Sequence, residues 1–312
     1  MYSTTLPPNV LSAAIVAVAT LLMGTLIRLN AIRGQSKEIA QSRLRSLRSW
    51  WIVTLVVVTS ALLGPIAMVT SIGLASLLSM REFAALPMTP PIPRSLTLAC
   101  YGLIVSSYVV VALQWNFLFI SLLPLMAIAI PSSLLILKGQ TKAFLRQVGR
   151  IAFAVLVTTY AIGHVALLVT LPVSTNPESG SAGLFLFVIA ITELNDIAQA
   201  LVGRKFGRRK LTPVSPKKTW EGFGGGIIIT TLAAMLLGSW LTPMTTLQSA
   251  IAGLLMSIAG QLGDLNMSAV KRDVGVKDSG SLLPGQGGIL DRIDSLTFTA
   301  PLFYYYFQGC CV

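Results

Sequence analysis

The chain has 312 residues, of which 54% are hydrophobic and only 11% are charged, and its mean hydropathy is +0.77. Soluble globular domains carry roughly 25% charged residues, so this chain has too little polar surface to cover itself in water. The composition therefore excludes a soluble enzyme, a disordered tail and a collagen-like rod. It predicts an integral membrane protein that crosses the bilayer several times.

The formal net charge is +12, and clustered Lys and Arg are also the electrostatic footprint of nucleic-acid binding. Positive residues collect in the cytoplasmic loops of inner-membrane proteins as well, where they set the topology. The apolar bulk of this chain favours the second explanation. We therefore expect the membrane, and no nucleic acid, among its partners.

Apolar stretches that can span a bilayer, which takes roughly 20 residues, recur along the chain. They run at about residues 10–29, 95–113, 115–137, 151–171, 183–203, 223–242, 247–268 and 290–309. A further apolar block at 51–80 is too short for two full spans and is broken by Gly64-Pro65. We expect a compressed helical hairpin there, because proline breaks a helix. The prediction is an all-α polytopic membrane protein of about ten membrane segments, two of them short.

With ten segments, every Lys and Arg of the chain can be placed on one side of the membrane. The loops on the other side, at 172–182 and 243–246, contain none. The positive-inside rule then puts the basic loops in the cytoplasm and both termini outside. We expect a protein of the bacterial inner (cytoplasmic) membrane.

The acidic residues are unevenly distributed: eight of the 11 lie between residues 193 and 294. Several of them lie within or beside apolar segments, where an ionisable group is costly and usually faces a functional cavity. Asp264, for example, follows a run of apolar and small residues at 258–263. The scarcity of charge thus locates a candidate site in the last third of the chain.

Three blocks of sequence combine these acids with basic residues and glycines: 195–222, 260–273 and 277–294. In the second block, helical spacing places Asp264, Ser268 and Lys271 on one face. In the third block, a glycine-rich turn precedes Asp291 and Asp294, which are three residues apart and share a face.

These residue types suit a polyphosphate ligand. Carboxylates without Cys or nearby His are hard oxygen ligands of the kind that Mg²⁺ prefers. Glycine-rich turns leave backbone N–H groups free to approach phosphate oxygens. Basic side chains would neutralise the remaining charge, and the candidates are Lys217, Lys218, Lys271, Arg272 and Arg292. The residues alone predict a membrane enzyme that transfers a phosphate-linked group near the cytoplasmic interface.

The third block, with the end of the second, reads S-x-x-K-R-x4-K-D-x-G-x3-P-G-x-G-G-x-x-D-R-x-D over residues 268–294. This pattern resembles the signature of the phosphatidate cytidylyltransferases, the CDP-diacylglycerol synthases. The segment SPKKTWEG at 215–222 and the tripeptide Arg-Glu-Phe at 81–83 are similar to that family as well. The likeness covers residues 51–309 in layout, with tight motifs at 195–295.

The resemblance implies that CTP and phosphatidic acid, or a related anionic lipid, react to give CDP-diacylglycerol and pyrophosphate. The lipid phosphate is already an anionic nucleophile, so no general base is needed, and the chain has only one histidine. Catalysis could rest on positioning and on charge neutralisation at the α-phosphate. Two Mg²⁺ ions could bridge the nucleophile and the leaving pyrophosphate. The family resemblance also suggests a homodimer.

The same resemblance assigns roles to residues by their place in the motifs. The catalytic residues are expected to be Asp264, Asp291, Lys271 and Arg292. The Mg²⁺ ligands are expected to be Asp264, Asp291 and Asp294. The substrate-binding residues are expected to be Asn195, Asp196, Ser215, Lys217, Lys218, Ser268, Arg272, Lys277, Gln286, Gly287 and Gly288. The chain then divides into an added N-terminal helix with its basic loop at 1–50, membrane helices at 51–180 and a catalytic membrane domain at 181–312.

The sequence departs from the family pattern at Gln286, where the family usually has His, and at 197–200, where a small-Tyr pattern is replaced by Ile-Ala-Gln-Ala. Glutamine can donate a hydrogen bond but cannot carry a positive charge. We expect a divergent but active family member. The alternatives are a CTP-dependent polyprenol or phytol kinase, a weakly active or non-catalytic lipid-binding paralogue, and a transporter whose charges line a path.

Overall fold

The computed structural model describes residues 7–32, 34–171 and 178–311. Across these ranges the chain is helical, and β-structure is limited to two isolated bridges, Lys210–Thr219 and Leu283–Gly287. The prediction of an all-α protein is confirmed.

The helices, in chain order, are α1 (Pro8–Ile32), α2 (Lys37–Leu63), α3 (Pro65–Ala85), α4 (Arg94–Ala112), α5 (Asn116–Leu137), α6 (Phe144–Val155), α7 (Ile162–Thr170), α8 (Gly180–Phe206), α9 (Trp220–Leu241), α10 (Thr246–Asp273), α11 (Leu290–Ile293) and α12 (Leu296–Cys311). A π-helical segment at Leu156–Ala161 joins α6 to α7. These two helices therefore form one continuous rod.

Eight helical segments within the described ranges are long and apolar enough to cross a membrane. They are α1, residues Arg43–Leu63 of α2, α3, α4, α5, the α6–α7 rod, α8 and α9. The polytopic prediction is confirmed for these eight. The other two predicted segments, 247–268 and 290–309, correspond to α10 and to α11–α12. With 16 residues, α12 is about 24 Å long, shorter than a hydrocarbon core of about 30 Å.

The hairpin predicted at 51–80 turns at Gly64-Pro65 as expected, with Gly64 at φ 101° and Pro65 in the first turn of α3. The prediction that its two segments are short is wrong, because each is a helical segment of 21 residues that is apolar enough to cross a membrane, Arg43–Leu63 and Pro65–Ala85. The basic stretch before residue 50 continues the helix instead of forming a loop. Long charged side chains at a helix end can place their charged groups in water while their aliphatic parts pack against apolar surroundings. The predicted region boundary at residue 50 therefore falls inside α2.

Successive long helices run antiparallel, so the loops fall into two sets at opposite ends of the bundle. At one end, the carbonyl of Trp240 accepts hydrogen bonds from Asn9 (2.9 Å) and Ser179 (2.8 Å). At the other end, Ser49 donates to the carbonyl of Pro284 (2.9 Å), which joins α2 to the loop before α11. The second end carries the basic loops at 204–218 and 271–292, and we call it the basic end.

Asn195 joins the three helices that carry most of the candidate site. It is fully buried on α8, and its Oδ1 accepts hydrogen bonds from Ser257 on α10 (2.6 Å), Thr230 on α9 (3.1 Å) and Gln199 (3.1 Å). A buried donor that loses its acceptor costs about 1 to 3 kcal/mol. This network therefore fixes how α8, α9 and α10 sit against one another.

We expect Asn195→Ala to lower the melting temperature of the detergent-solubilised protein by several degrees, because three buried donors lose their acceptor. The matched control is Asn116→Ala, at a part-buried asparagine that bonds one residue, Thr170 (2.9 Å). A thermal melt followed by intrinsic fluorescence compares the two. A shift at Asn195 no larger than that at Asn116 would contradict the assigned role.

Candidate active site

Two polar cavities lie side by side at the basic end of the bundle. The first, which we call the carboxylate cavity, has a volume of about 580 Å³ and is lined from α1, α2, α8, α10 and the chain at 278–294. The second, the loop cavity, has a volume of about 660 Å³ and is lined mainly by residues 277–287. Both cavities share Trp50, Asp278, Gln286 and Arg292. The three sequence blocks thus meet around one connected polar space.

Ten of the predicted site residues line these cavities: Asp196, Lys218, Asp264, Lys271, Lys277, Gln286, Gly287, Asp291, Arg292 and Asp294. The others support the site from outside or lie apart from it. Asn195 holds the helices together, as described above. Ser215, Lys217 and Arg272 do not belong to the lining of either cavity, and Arg272 donates to the carbonyl of Val276 (3.0 Å) at the end of α10.

Asp264 stands on α10 and forms an ion pair with Lys218, whose Nζ lies 2.5 Å from Oδ2. Its other oxygen accepts a hydrogen bond from Ser268 (3.3 Å), as the predicted shared face requires. Burial lowers the pKa of Lys218, but the negative charges of Asp264 and Asp196 outweigh it and raise that pKa above its ordinary value. Lys218 is therefore held as a cation in the cavity wall.

Asp291 is held on both oxygens by donors from the protein. Oδ1 accepts from Lys271 Nζ (2.7 Å), and Oδ2 accepts from the backbone N–H groups of Ser279 (2.8 Å) and Gly288 (2.9 Å). Burial raises the pKa of Asp291, but the bonds from Lys271 and the backbone hold it below its ordinary value. Asp291 is thus an ionised anchor that ties the loop before α11 to Lys271.

A second buried carboxylate, Glu82 near the end of α3, holds the same loop from the opposite side. It is 5% exposed and accepts from the backbone N–H groups of Ile289 (3.0 Å) and Leu290 (2.9 Å) and from Ser279 Oγ (3.4 Å). Glu82 lies within the tripeptide at 81–83 that is similar to the family, but no role was predicted for it from the sequence. The cost of an acid next to an apolar segment was the signal that could have identified it.

Gly287 and Gly288 let the two carboxylates reach the loop backbone. Gly287 has φ 87°, and a Cβ on Gly288 would lie 2.2 Å from Oε2 of Glu82. The N–H of Gly288 is already bonded to Asp291. Packing against Glu82 and Asp291 therefore requires glycine at these two positions, in addition to the phosphate contact predicted for them.

Asp196, Asp264 and Asp294 form a group of three carboxylates that line the carboxylate cavity. Ser295 donates its backbone N–H to Asp294 (2.8 Å) and its hydroxyl to Asp196 (2.9 Å). Burial raises the pKa of Asp294, which precedes α12, and the negative charges of Asp264 and Asp196 raise it further. The repulsion among these three carboxylates is a cost that a bound cation would relieve.

Arg292 lines both cavities and faces this acidic group from α11. Its Nε is buried and has no hydrogen-bond partner in the part of the chain that the structure describes. A buried guanidinium N–H without an acceptor is costly. Because Arg292 lines both cavities, its guanidinium could contact an anionic group there.

Gln286, which stands where the related signature has His, bonds to α2. Its Nε2 lies 3.0 Å from the carbonyl oxygen and 3.0 Å from the hydroxyl of Ser46. Arg28, near the C-terminal end of α1, donates a hydrogen bond to the same hydroxyl (3.4 Å) and lines the carboxylate cavity. The N-terminal helices therefore belong to the site wall, through Arg28 of α1 and Trp50 of α2. Glu193 of α8 lines the same cavity, and none of these three residues was assigned a role from the sequence.

The residues fit Mg²⁺ only in combination with a substrate. Within the described ranges, no group of three or more His, Cys, Asp or Glu side chains is arranged to hold a metal ion. Mg²⁺ is usually bound through one or two carboxylates together with water and substrate phosphates. Asp264 and Asp294 offer such oxygens, and the cations now beside them are Lys218 and, 4.0 Å from Asp294, Lys271. Both oxygens of Asp291 are already bonded to protein donors.

The fold and the cavities define an integral membrane protein with charged cavities at one end. The sequence matches the cytidylyltransferase family over residues 43–310, and the chain belongs to that family. The predicted family resemblance is confirmed. The start of the match at residue 43 leaves α1 outside it.

Individual relatives divide into one long match and several shorter ones. The chain is 42% identical over 296 residues to the uncharacterized protein YnbB of Escherichia coli, a match that covers 94% of this chain and 96% of YnbB. It is 45% identical over 137 residues to the phosphatidate cytidylyltransferase of Synechocystis, which covers 42% of this chain and 46% of the relative. It is 48% identical over 109 residues to the chloroplastic phosphatidate cytidylyltransferase 4 of Arabidopsis thaliana, covering 35% of this chain and 28% of that protein. The chain thus matches less than half the length of these two named enzymes.

We expect Glu82→Ala to loosen the loop that it holds. Hydrogen–deuterium exchange of peptides within 279–290 should become more than about tenfold faster, since bonds to a charged acceptor contribute about 1.5 to 3 kcal/mol each. The control is Glu38→Ala, at an exposed acid in the first turn of α2. Unchanged protection of the loop in Glu82→Ala would show that the carboxylate does not hold it.

Proposed function

We propose that this protein is a CTP:phosphatidate cytidylyltransferase, which makes CDP-diacylglycerol and pyrophosphate from CTP and phosphatidic acid. The observation that carries the proposal is the carboxylate cavity, where the acids Asp196, Asp264 and Asp294 face the cations Lys218, Lys271 and Arg292. In a metal-bound nucleotide, the metal ion could contact the acids of such a cavity and the phosphates could contact its cations. The two named relatives that share parts of this sequence support the choice of substrate.

The proposed reaction needs no side chain to remove a proton. The phosphate of phosphatidic acid attacks the α-phosphate of CTP as an anion, and the bond from the α-phosphate to the leaving pyrophosphate breaks. The single histidine of the chain, His164, is fully buried on α7 and bonds to the carbonyl of Tyr160 (2.8 Å). Its position agrees with catalysis by positioning and charge neutralisation.

We expect each basic residue of the carboxylate cavity to bind or neutralise a different part of the phosphate groups. Arg292, which lines both cavities, would donate guanidinium N–H groups to a phosphate oxygen, and a guanidinium suits phosphate geometry. Lys218, already held as a cation, would neutralise charge beside Asp264. Lys271 would do so beside Asp291 and Asp294. Together they would bring two anionic phosphates close enough to react.

Mg²⁺ is the proposed cofactor, and Asp264 and Asp294 are the residues that we expect to hold it. When bound, Mg²⁺ would supply positive charge that stabilises the leaving pyrophosphate. Asp291, expected from the sequence to be a principal ligand, is assigned a positioning role, because its two oxygens hold Lys271 and the loop. A second metal ion at Asp291 would first require Lys271 to leave Oδ1.

We further propose that the basic end faces the cytoplasm of a bacterial cell, where CTP is made. The positive-inside rule supports this orientation. The homodimer suggested by the family resemblance stays a prediction.

The decisive assay uses CTP labelled on either its α- or its γ-phosphate, with purified protein, phosphatidic acid micelles and Mg²⁺. Cytidylyl transfer puts the α-label into the lipid product and the γ-label into pyrophosphate. A polyprenol or phytol kinase would instead put the γ-label into an alcohol acceptor. Absence of lipid label with phosphatidic acid and several other anionic acceptors would contradict cytidylyl transfer, and absence of label with alcohol acceptors as well would favour the lipid-binding alternative.

Variants link that activity to the cavity. We expect Asp264→Asn to lower turnover by about 100-fold or more and Lys218→Met by about tenfold or more, the range for loss of one preorganised electrostatic contact. The control is Lys142→Met, an exposed lysine in the loop between α5 and α6. Retained turnover in Asp264→Asn would remove this residue from the reacting centre.

A further inference from the structure

An apolar groove with a volume of about 240 Å³ lies between α1, α2, α8 and α9. Its walls include Ala13 and Ala17 of α1, Val53 and Val57 of α2, and Ala190 of α8. Small side chains on α1 and α8 leave the space open. An apolar lining of this kind cannot satisfy a polar occupant, so the groove suits a hydrocarbon chain.

The groove adjoins the carboxylate cavity. Trp50 and Glu193 line both spaces, so the groove begins where the polar lining ends. From Trp50 to Val57, α2 rises by about 10 Å at 1.5 Å per residue. The groove therefore runs from the basic end into the part of the bundle formed by membrane-spanning helices.

The lining and the position of the groove together select its occupant. The walls are almost entirely apolar, and the groove shares Trp50 and Glu193 with the charged cavity. A lipid joins an anionic head to hydrocarbon chains and so matches both spaces at once. The occupant that we assign to the groove is one acyl chain.

Helix α1 contributes to both ends of this arrangement although it lies before the family match, which begins at residue 43. Arg28 lines the carboxylate cavity, and Ala13 and Ala17 line the groove. The same helix thus places a positive charge near the phosphate site and small residues along the apolar path. This pairing matches a phospholipid, which has an anionic head joined to apolar chains.

We infer that the groove binds one acyl chain of the lipid substrate while its phosphate lies in the carboxylate cavity, and that α1 sets the acyl-chain preference. The inference rests on the proposed function, because it takes the substrate to be a phosphate-headed lipid. It assigns the helix outside the family match a part in substrate choice.

Substitutions that fill the groove test the inference through activity. Ala17→Phe and Ala190→Phe narrow it from α1 and α8, and Ala17→Leu is a milder version. We expect kcat/KM for dioleoyl phosphatidic acid to fall by about tenfold or more, as for other pocket-filling changes, with little change for short-chain dihexanoyl phosphatidic acid. The matched control, Ala19→Phe, lies on the exposed face of α1, about 200° around the helix from Ala17. Equal loss with both lipids, in variants whose gel-filtration profile is normal, would overturn the inference.

Photocrosslinking tests the groove without requiring turnover. Phosphatidic acid with a diazirine on its acyl chain should label peptides of α1, α2 and α8 in the wild-type protein. Ala17→Phe should reduce this labelling, and Ala19→Phe should not. Labelling of the groove by a protein that transfers no cytidylyl group would uphold the lipid site while the proposed reaction fails. Equal labelling of the exposed faces of α4 and α5 in every variant would show bulk lipid only and overturn the inference.

Discussion

The site depends on two buried carboxylates, Glu82 and Asp291, that each accept backbone N–H groups from the loop at 279–290. An ionised carboxylate can remain inside an apolar bundle only when donors surround its oxygens. The loop supplies those donors, so the same bonds satisfy the acids and fold the glycine-rich chain against the helices. The pairing of Asp291 with Lys271 then couples the loop to α10, where Asp264 stands.

This arrangement explains why a chain with so few charges gathers most of its acids in one place. Asp196, Asp264 and Asp294 repel one another, and the lysines beside them relieve only part of that repulsion. The remaining repulsion suits a bound metal ion, while the guanidinium of Arg292, which lines both cavities, suits an anion. The buried Asn195 network holds α8, α9 and α10 in the positions that bring these charges together. The apolar groove adjoins the same space.

The sequence was sufficient for the helical architecture, the turn at Gly64-Pro65 and the choice of the three blocks that line the polar cavities, because hydropathy and the clustering of acids are local patterns. It was insufficient for Glu82 and Gln286, whose partners lie 207 and 240 residues away in the chain. It also misjudged the length of the hairpin, since charged residues before position 50 were taken as loop although the helix continues through them. The part played by α1 could not be predicted, because the cavity and the groove exist only where four helices meet.

The most direct test of the account is an experimental structure of the full chain in lipid nanodiscs with CTP and Mg²⁺. We predict density for the nucleotide phosphates in the carboxylate cavity, with Arg292 and Lys218 in contact with phosphate oxygens and Asp264 beside the metal ion. A nucleotide bound elsewhere on the protein, with that cavity filled only by water, would contradict the central claim.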